Sequence, residues 1–435
     1  YQDSAAGQIL YRSDRVLCAE YRPRNPAQPT GYGSILATAP RVACMDPDFA
    51  RLDEYLDENG LEGYAFHDDA SNSDLYYVTG FSAPDPFFAV YTPEATGILT
   101  SSLEYGRAKT EGRAGVVKRL SDYDFHAKRE DHDSETAYAL VVDEFLADLG
   151  CDSVAVQRRF PVGVADDLRD NGVSVTVDGD GVVSDVRATK TDEEIEHVRT
   201  AQRANEAAMA RAEELIRGAD VDDDGHLVHD GDVLTSEDVK EAIEIELLRH
   251  GCALDETIVA CGRDAADPHD RGSGPLAAGE FVIVDIFPRD KDTKYHSDMT
   301  RTFLNGDPTD TQQEWYDLTE EAYRAALDAV EPGVSGEDVN QAVVDVYDEH
   351  GFPTIYTDPE TETGFIHSTG HGVGLDVHEK PSLARDGEQL RPGHVITIEP
   401  GLYDPDIGGV RIEDIVVVTE GGYENLTDYD ISLSN

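Results

Sequence analysis

"SEDVKEAIEIELLRHG" at 236–251 and "GEDVNQAVVDVYDEHG" at 336–351 repeat one another at an offset of one hundred residues. Glu237, Asp238, Val239, Ala242, His250 and Gly251 recur as Glu337, Asp338, Val339, Ala342, His350 and Gly351. A second match follows each. "LAAGEFVIVD" (276–285) aligns with "LRPGHVITIE" (390–399): a leucine, a glycine three later, then a strand ending in an acid six after the glycine. The simplest reading is an internal duplication, two helix–strand halves related by a pseudo-two-fold. A cleft between such halves collects Asp285 from one and Glu399 from the other.

Each repeat is followed by a further strand with its own acid, Asp298 in "HSDMTRTFL" and Glu413 in "VRIEDIVVV". "FVIVD" and "VITIE" are apolar runs that end in a carboxylate, and burying unpaired charge there costs many kcal/mol. Something positive must meet four such acids, and arginine is scarce nearby. Two divalent cations would balance about four negative charges. Asp285 and Asp298 lie thirteen residues apart on what reads as a hairpin. On adjacent strands of such a hairpin both acids can face one side as long as strand parity is kept. Within the second half, "FIHSTGHGVGLDVHE" (365–379) holds His367, His371 and His378, three of the chain's fourteen histidines. Gly370, Gly372 and Gly374 argue against a helix and fit close backbone packing. Carboxylates with one imidazole suit manganese, cobalt, iron or zinc more than copper.

Charge excludes several function classes. Ninety acidic residues face 35 basic ones, a net charge of −55 over 435 residues. Nucleic acid and anionic membranes are therefore poor partners. Molar salt shortens the Debye length to ~3 Å and screens the self-repulsion, so we read adaptation to a salt-rich cytoplasm. No apolar run approaches the ~20 residues of a membrane span, and no secretory signal is expected. Five cysteines, with no CxxC pair, read as thiols in a reducing compartment.

The first 44 residues differ from the rest, with five arginines and three acids. We expect residues 1–44 to be an extension without a fold, with Met45 as the natural start. Asp46, Pro47 and Gly60 then bound a first helix. Over 45–186, "YAFHD", "LYYVTGF", "PFFAVY", "SVAVQ" and "VSVTV" read as strands, and "SETAYALVVDEFLADLG" as a helix, which makes an α/β domain. The second domain, 187–435, opens with the capping box Thr191–Glu194 and a helix to Gly218. "DVDDDG" at 220–225 begins like a calcium loop, but the twelfth position is Gly231. It reads as an acidic surface insertion.

The order Asp285, Asp298, His371, Glu399, Glu413, with "HSTGHGVGLDVHE", "ITIEPGLY" and "GVRIEDIVVV", resembles the pita-bread metallopeptidases of family M24. The resemblance covers roughly 45–435, including an N-terminal domain similar to that of creatinase, prolidase and aminopeptidase P. It implies an α/β (α+β) fold of two domains and hydrolysis of Xaa-Pro peptide bonds, as an Xaa-Pro aminopeptidase or dipeptidase. By the same resemblance, two divalent ions, manganese first with cobalt, zinc or iron as alternatives, sit on Asp285, Asp298, His371, Glu399 and Glu413. Glu399 is then the general base, and His269 and His378 contact the substrate and its tetrahedral intermediate. His367 lies near the proline-side pocket. Arg411 either meets the substrate or pairs with a ligating carboxylate. A cytoplasmic homodimer acting on proline-containing peptides is implied. A metal-free creatinase-like amidinohydrolase and a non-catalytic binding protein use the same scaffold, but here all five ligand positions are filled.

Overall fold

A computed structural model describes residues 47–434. The expected 1–44 extension, Met45 and Asp46 lie outside the described residues. The first helix starts later than its sequence signals imply, running Ala50–Asn59. Asp48 Oδ1 accepts the Ala50 N–H at 3.0 Å, so the first turn is served from two residues away. Gly60 closes the helix as expected, at φ 63°.

A six-stranded mixed sheet follows, in the spatial order 116–119, 96–100, 87–91, 63–68, 153–156, 174–177. Four of these strands match the sequence reading, whereas Thr96–Thr100 and Val116–Arg119 were not anticipated. "LYYVTGF" is not a strand. Ser73–Thr79 is a helix, because the Asn72 side chain accepts the Leu75 N–H at 3.0 Å and Gly80 supplies a left-handed end at φ 64°. The aromatic, β-favouring composition serves burial instead, with Leu75, Tyr77 and Val78 all in the core. The expected helix Ser134–Asp148 covers one sheet face, packing Val141, Val142, Phe145 and Leu146 against Ala65, Phe88, Val90 and Val154.

The capping box Thr191–Glu194 opens Asp192–Arg217. The duplicated helices are Ser236–Arg249 and Gly336–Glu349. Each starts with a reciprocal capping box, Thr235 with Asp238 and Ser335 with Asp338. The first lies on a three-stranded antiparallel sheet of Thr257–Cys261, Phe281–Ile286 and Met299–Leu304. The second lies by a five-stranded sheet in the order 379–383, 370–372, 395–398, 414–419, 422–425. Between the first helix pair, 220–233 forms three short strands of largely exposed residues.

Strand alternation then decides where the acids point. Val282, Val284 and Ile286 pack with Val239, Ile243 and Leu247 of the helix, each buried aliphatic contributing roughly 1.5–3 kcal/mol. Ile396 and Ile398 pack likewise with Val339, Val343 and Val344. The odd-numbered Asp285, Thr397 and Glu399 therefore turn to the opposite faces, where the two halves meet. Among the described residues no helix is long and apolar enough to cross a membrane.

Candidate metal centre and substrate cleft

Pairing register brings the four acids together. Asp285 lies opposite Thr300, so Asp298, two residues before Thr300, shares its face. The thirteen-residue separation thus preserves parity. In the other half Ile398 lies opposite Asp414, which sets Glu399 against Glu413. All four, with His269, His367, His371, His378 and Arg411, line one cleft of about 810 Å³. Asp298, His371 and Glu413 each offer a ligand atom within 4.8 Å of the others. His371 Nε2 is 3.3 Å from Glu399 Oε1 and 3.7 Å from Asp298 Oδ2.

His371 occupies the middle of the short strand Gly370–Gly372. A Cβ at Gly370 would come within 2.1 Å of the Thr397 carbonyl oxygen, and one at Gly372 within 2.2 Å of the Lys380 carbonyl oxygen. Close backbone approach, not loop flexibility, accounts for these glycines. Thr397 Oγ1 accepts the His371 N–H at 3.0 Å and donates to Glu399 Oε1 at 3.3 Å. His371 Nδ1–H points at the Gly372 carbonyl, 3.2 Å away, which leaves the Nε2 lone pair for the carboxylate side. Burial, then the neighbouring His378, lowers His371 to about 3, so the imidazole is neutral and ligand-ready. The two rings stand edge to face with centroids 4.1 Å apart.

Of the four acids, Asp285 alone meets an arginine among the described residues, Arg411 Nη2 donating to its Oδ2 at 2.7 Å. Its other oxygen, Oδ1, is buried without a partner. Glu413 accepts only a hydroxyl proton from Thr300 Oγ1, at 2.7 Å. Burial, reinforced by mutual repulsion, pushes Asp298 and Glu413 well above the usual carboxylate range. Glu399 rises to about 7, again chiefly through burial, with Arg411 opposing. Buried carboxylates so short of counter-charge, with an orphaned oxygen and a neutral imidazole, fit divalent cations. One arginine cannot balance them.

Arg411 is fully engaged. Besides Asp285 it donates from Nε to Thr300 Oγ1 at 3.1 Å and from Nη1 to the Tyr403 hydroxyl at 2.9 Å. Tyr403 passes its own proton to His367 Nε2 at 2.9 Å, and His367 Nδ1–H donates to the Ser368 carbonyl at 2.7 Å. Burial and the Arg411 charge lower His367 to about 3, consistent with this neutral tautomer. A wire Asp285–Arg411–Tyr403–His367 therefore joins the acidic floor to the cleft wall. His269 lies at the exposed rim, its backbone N–H held by Asp267 Oδ1 at 3.0 Å.

Thr300, Thr397 and Tyr403 were missed as site residues. The signal was available in strand alternation: Thr300 sits two after Asp298, and Thr397 two before Glu399.

Residues 196–420 match the model of metallopeptidase family M24, and residues 49–189 match the creatinase/prolidase N-terminal domain. The chain belongs to metallopeptidase family M24. An Xaa-Pro dipeptidase of Pyrococcus furiosus is 30% identical over 388 residues, spanning 88% of this chain and 98% of the relative. A probable dipeptidase of Mycobacterium bovis is 37% identical over 359 residues, 80% of this chain and 86% of the relative. The crystal structure of the prolidase from Pyrococcus horikoshii OT3 superposes with a TM-score of 0.70 at 28% identity, covering 88% of this chain and 98% of that one. An M24 fold of α/β type is thereby established for this peptidase, and membership of a metallopeptidase family implies divalent metal ions.

Proposed function

We propose that this M24 peptidase hydrolyses Xaa-Pro peptide bonds with two divalent ions held by Asp285, Asp298, His371, Glu399 and Glu413. The observation that carries the reading is the convergence of four carboxylates and a neutral imidazole on one cleft with a single arginine for balance. Relatives named as Xaa-Pro dipeptidase and prolidase support the substrate class.

In this reading Asp285, Asp298, His371, Glu399 and Glu413 would together hold the ions. When bound, such a pair acidifies water and polarises a carbonyl. The chain's own groups do the rest. Glu399 takes the proton from the attacking water. His378 and His269, on the cleft wall, hydrogen-bond the substrate and its oxyanion. Neutral His367, fixed by Tyr403, bounds the proline-side pocket. Arg411, on the cleft wall beside the substrate, orients Asp285 and the Tyr403 hydroxyl that fixes His367. Manganese is the first choice of metal, and a homodimer in a salt-rich cytoplasm is the expected setting.

The test is a chelated and reloaded enzyme assayed on Gly-Pro, longer Xaa-Pro peptides and matched peptides without proline. Proline-selective cleavage that needs two equivalents of metal is expected. Turnover of a guanidino substrate without metal, or cleavage undiminished by chelation, overturns the assignment.

A further inference from the structure

Arg289 is half-buried yet makes no side-chain hydrogen bond, ion pair or ring contact with any described residue. That is anomalous in a chain with 90 acids for 35 bases. Arginines 158, 263 and 391, which also lack such partners, are exposed. Arg289 lines a cavity of about 390 Å³ between the N-terminal domain and the catalytic domain. Lys294 and His296 share its wall, and Ser71, Ser73 and Tyr76 face them from the N-terminal domain.

The acids around this cavity are already spoken for, which leaves the Arg289 guanidinium without a counter-charge among the described residues. Asp376 is held by Arg187 at 2.8 Å and by Ser73 Oγ at 2.6 Å. Asp290 Oδ1 instead accepts the backbone N–H groups of Asp292 and Thr293, at 3.0 and 2.7 Å. Burial and the Arg289 charge also lower the Lys294 ammonium below the usual lysine value, so the two cations repel each other. The volume suits a small molecule, and the cavity shares no lining residue with the catalytic cleft.

We propose that this seam cavity is a second ligand site, which binds a small oxyanion between Arg289 and Lys294. A guanidinium, an ammonium and the Tyr76 hydroxyl form a donor set that a carboxylate or a tetrahedral oxyanion takes. The site depends on the connector between Asp285 and Asp298 and does not depend on the metal reading.

The experiment uses the metal-loaded enzyme. Thermal midpoints are followed during titration with sulfate and with succinate at constant ionic strength, for wild type and for Arg289→Gln/Lys294→Gln. Wild type is expected to show saturable stabilisation by at least one anion, and the double variant to need at least about ten times more of it. Peptide turnover in the variant shows that its fold is intact, and Arg289→Lys is expected to recover part of the binding. Crystals soaked in selenate should give an anomalous peak beside Arg289 and Lys294. Equal titrations in wild type and variant, or selenate found only at the Asp285–Glu399 cleft, overturn the proposal.

Discussion

The Lys190 ammonium and the Glu379 carboxylate meet at 2.5 Å, with side chains 1% and 6% exposed. Glu379 follows His378 directly, so this pair anchors the histidine loop to the segment joining the two domains. Arg187 takes the other Glu379 oxygen, also at 2.5 Å, and reaches Asp74 of the N-terminal domain. Removing one partner of a buried pair costs about 3–5 kcal/mol, because a desolvated charge is left behind. Glu379→Gln is therefore expected to lower the denaturant midpoint by an amount of that order, and the loss should persist in molar salt, which screens buried pairs little. Arg119→Gln, which breaks an exposed, solvent-screened pair with Asp122, should leave the midpoint nearly unchanged. Similar small shifts for both variants would show that the anchor carries no such load.

Metal and protons should compete. Asp298, Glu413 and Glu399 all have folded-state values raised by burial, Glu399 to about 7. A raised value means that the folded, metal-free protein holds more protons than the unfolded chain. The stabilising contribution is then complete below about 4, the ordinary carboxylate range, and is lost as pH rises through about 7. Metal-free enzyme should accordingly lose thermal stability between pH 4.5 and 7.5, and metal binding near pH 6 should release protons. Calorimetry in two buffers of different ionisation enthalpy reads the proton count. Asp298→Asn/Glu413→Gln should release fewer. Equal heats in both buffers would contradict the shared acidic floor.

The duplication and the acids were legible because they rest on rules local to the chain: capping boxes at Thr235 and Ser335, glycines at 251 and 351, and two-residue alternation through Asp285 and Glu399. Where the sequence misled, a tertiary or neighbouring contact outweighed composition. Residues 75–79 have a strand's composition, but the Asn72 cap and burial make them helical. Asp48 serves the first turn of the first helix, which starts only at Ala50. The Arg411–Tyr403–His367 wire was invisible for a different reason. Its members come from Gly408–Arg411, Gly401–Asp404 and the loop before Gly370, and only pairing of Leu402 with Val410 brings the first two together.

Thr300 offers the sharpest test of how the centre is held. Its hydroxyl donates to Glu413 and accepts from Arg411, which itself fixes Asp285, so one oxygen steadies both halves of the acid set. The residue is fully buried, and valine nearly matches its shape. Thr300→Val should therefore fold, yet leave a buried guanidinium nitrogen and a carboxylate oxygen each short of a partner, at about 1–3 kcal/mol. Groups that orient metal ligands typically matter by about 10–100-fold in affinity or activity. We expect a loss of that size in metal affinity by competition with a chromogenic chelator, with activity partly restored by excess metal. Thr300→Ser keeps the hydroxyl and should stay near wild type. If valine binds metal as tightly as threonine, Thr300 is only a packing residue and the acids are held by the ions alone.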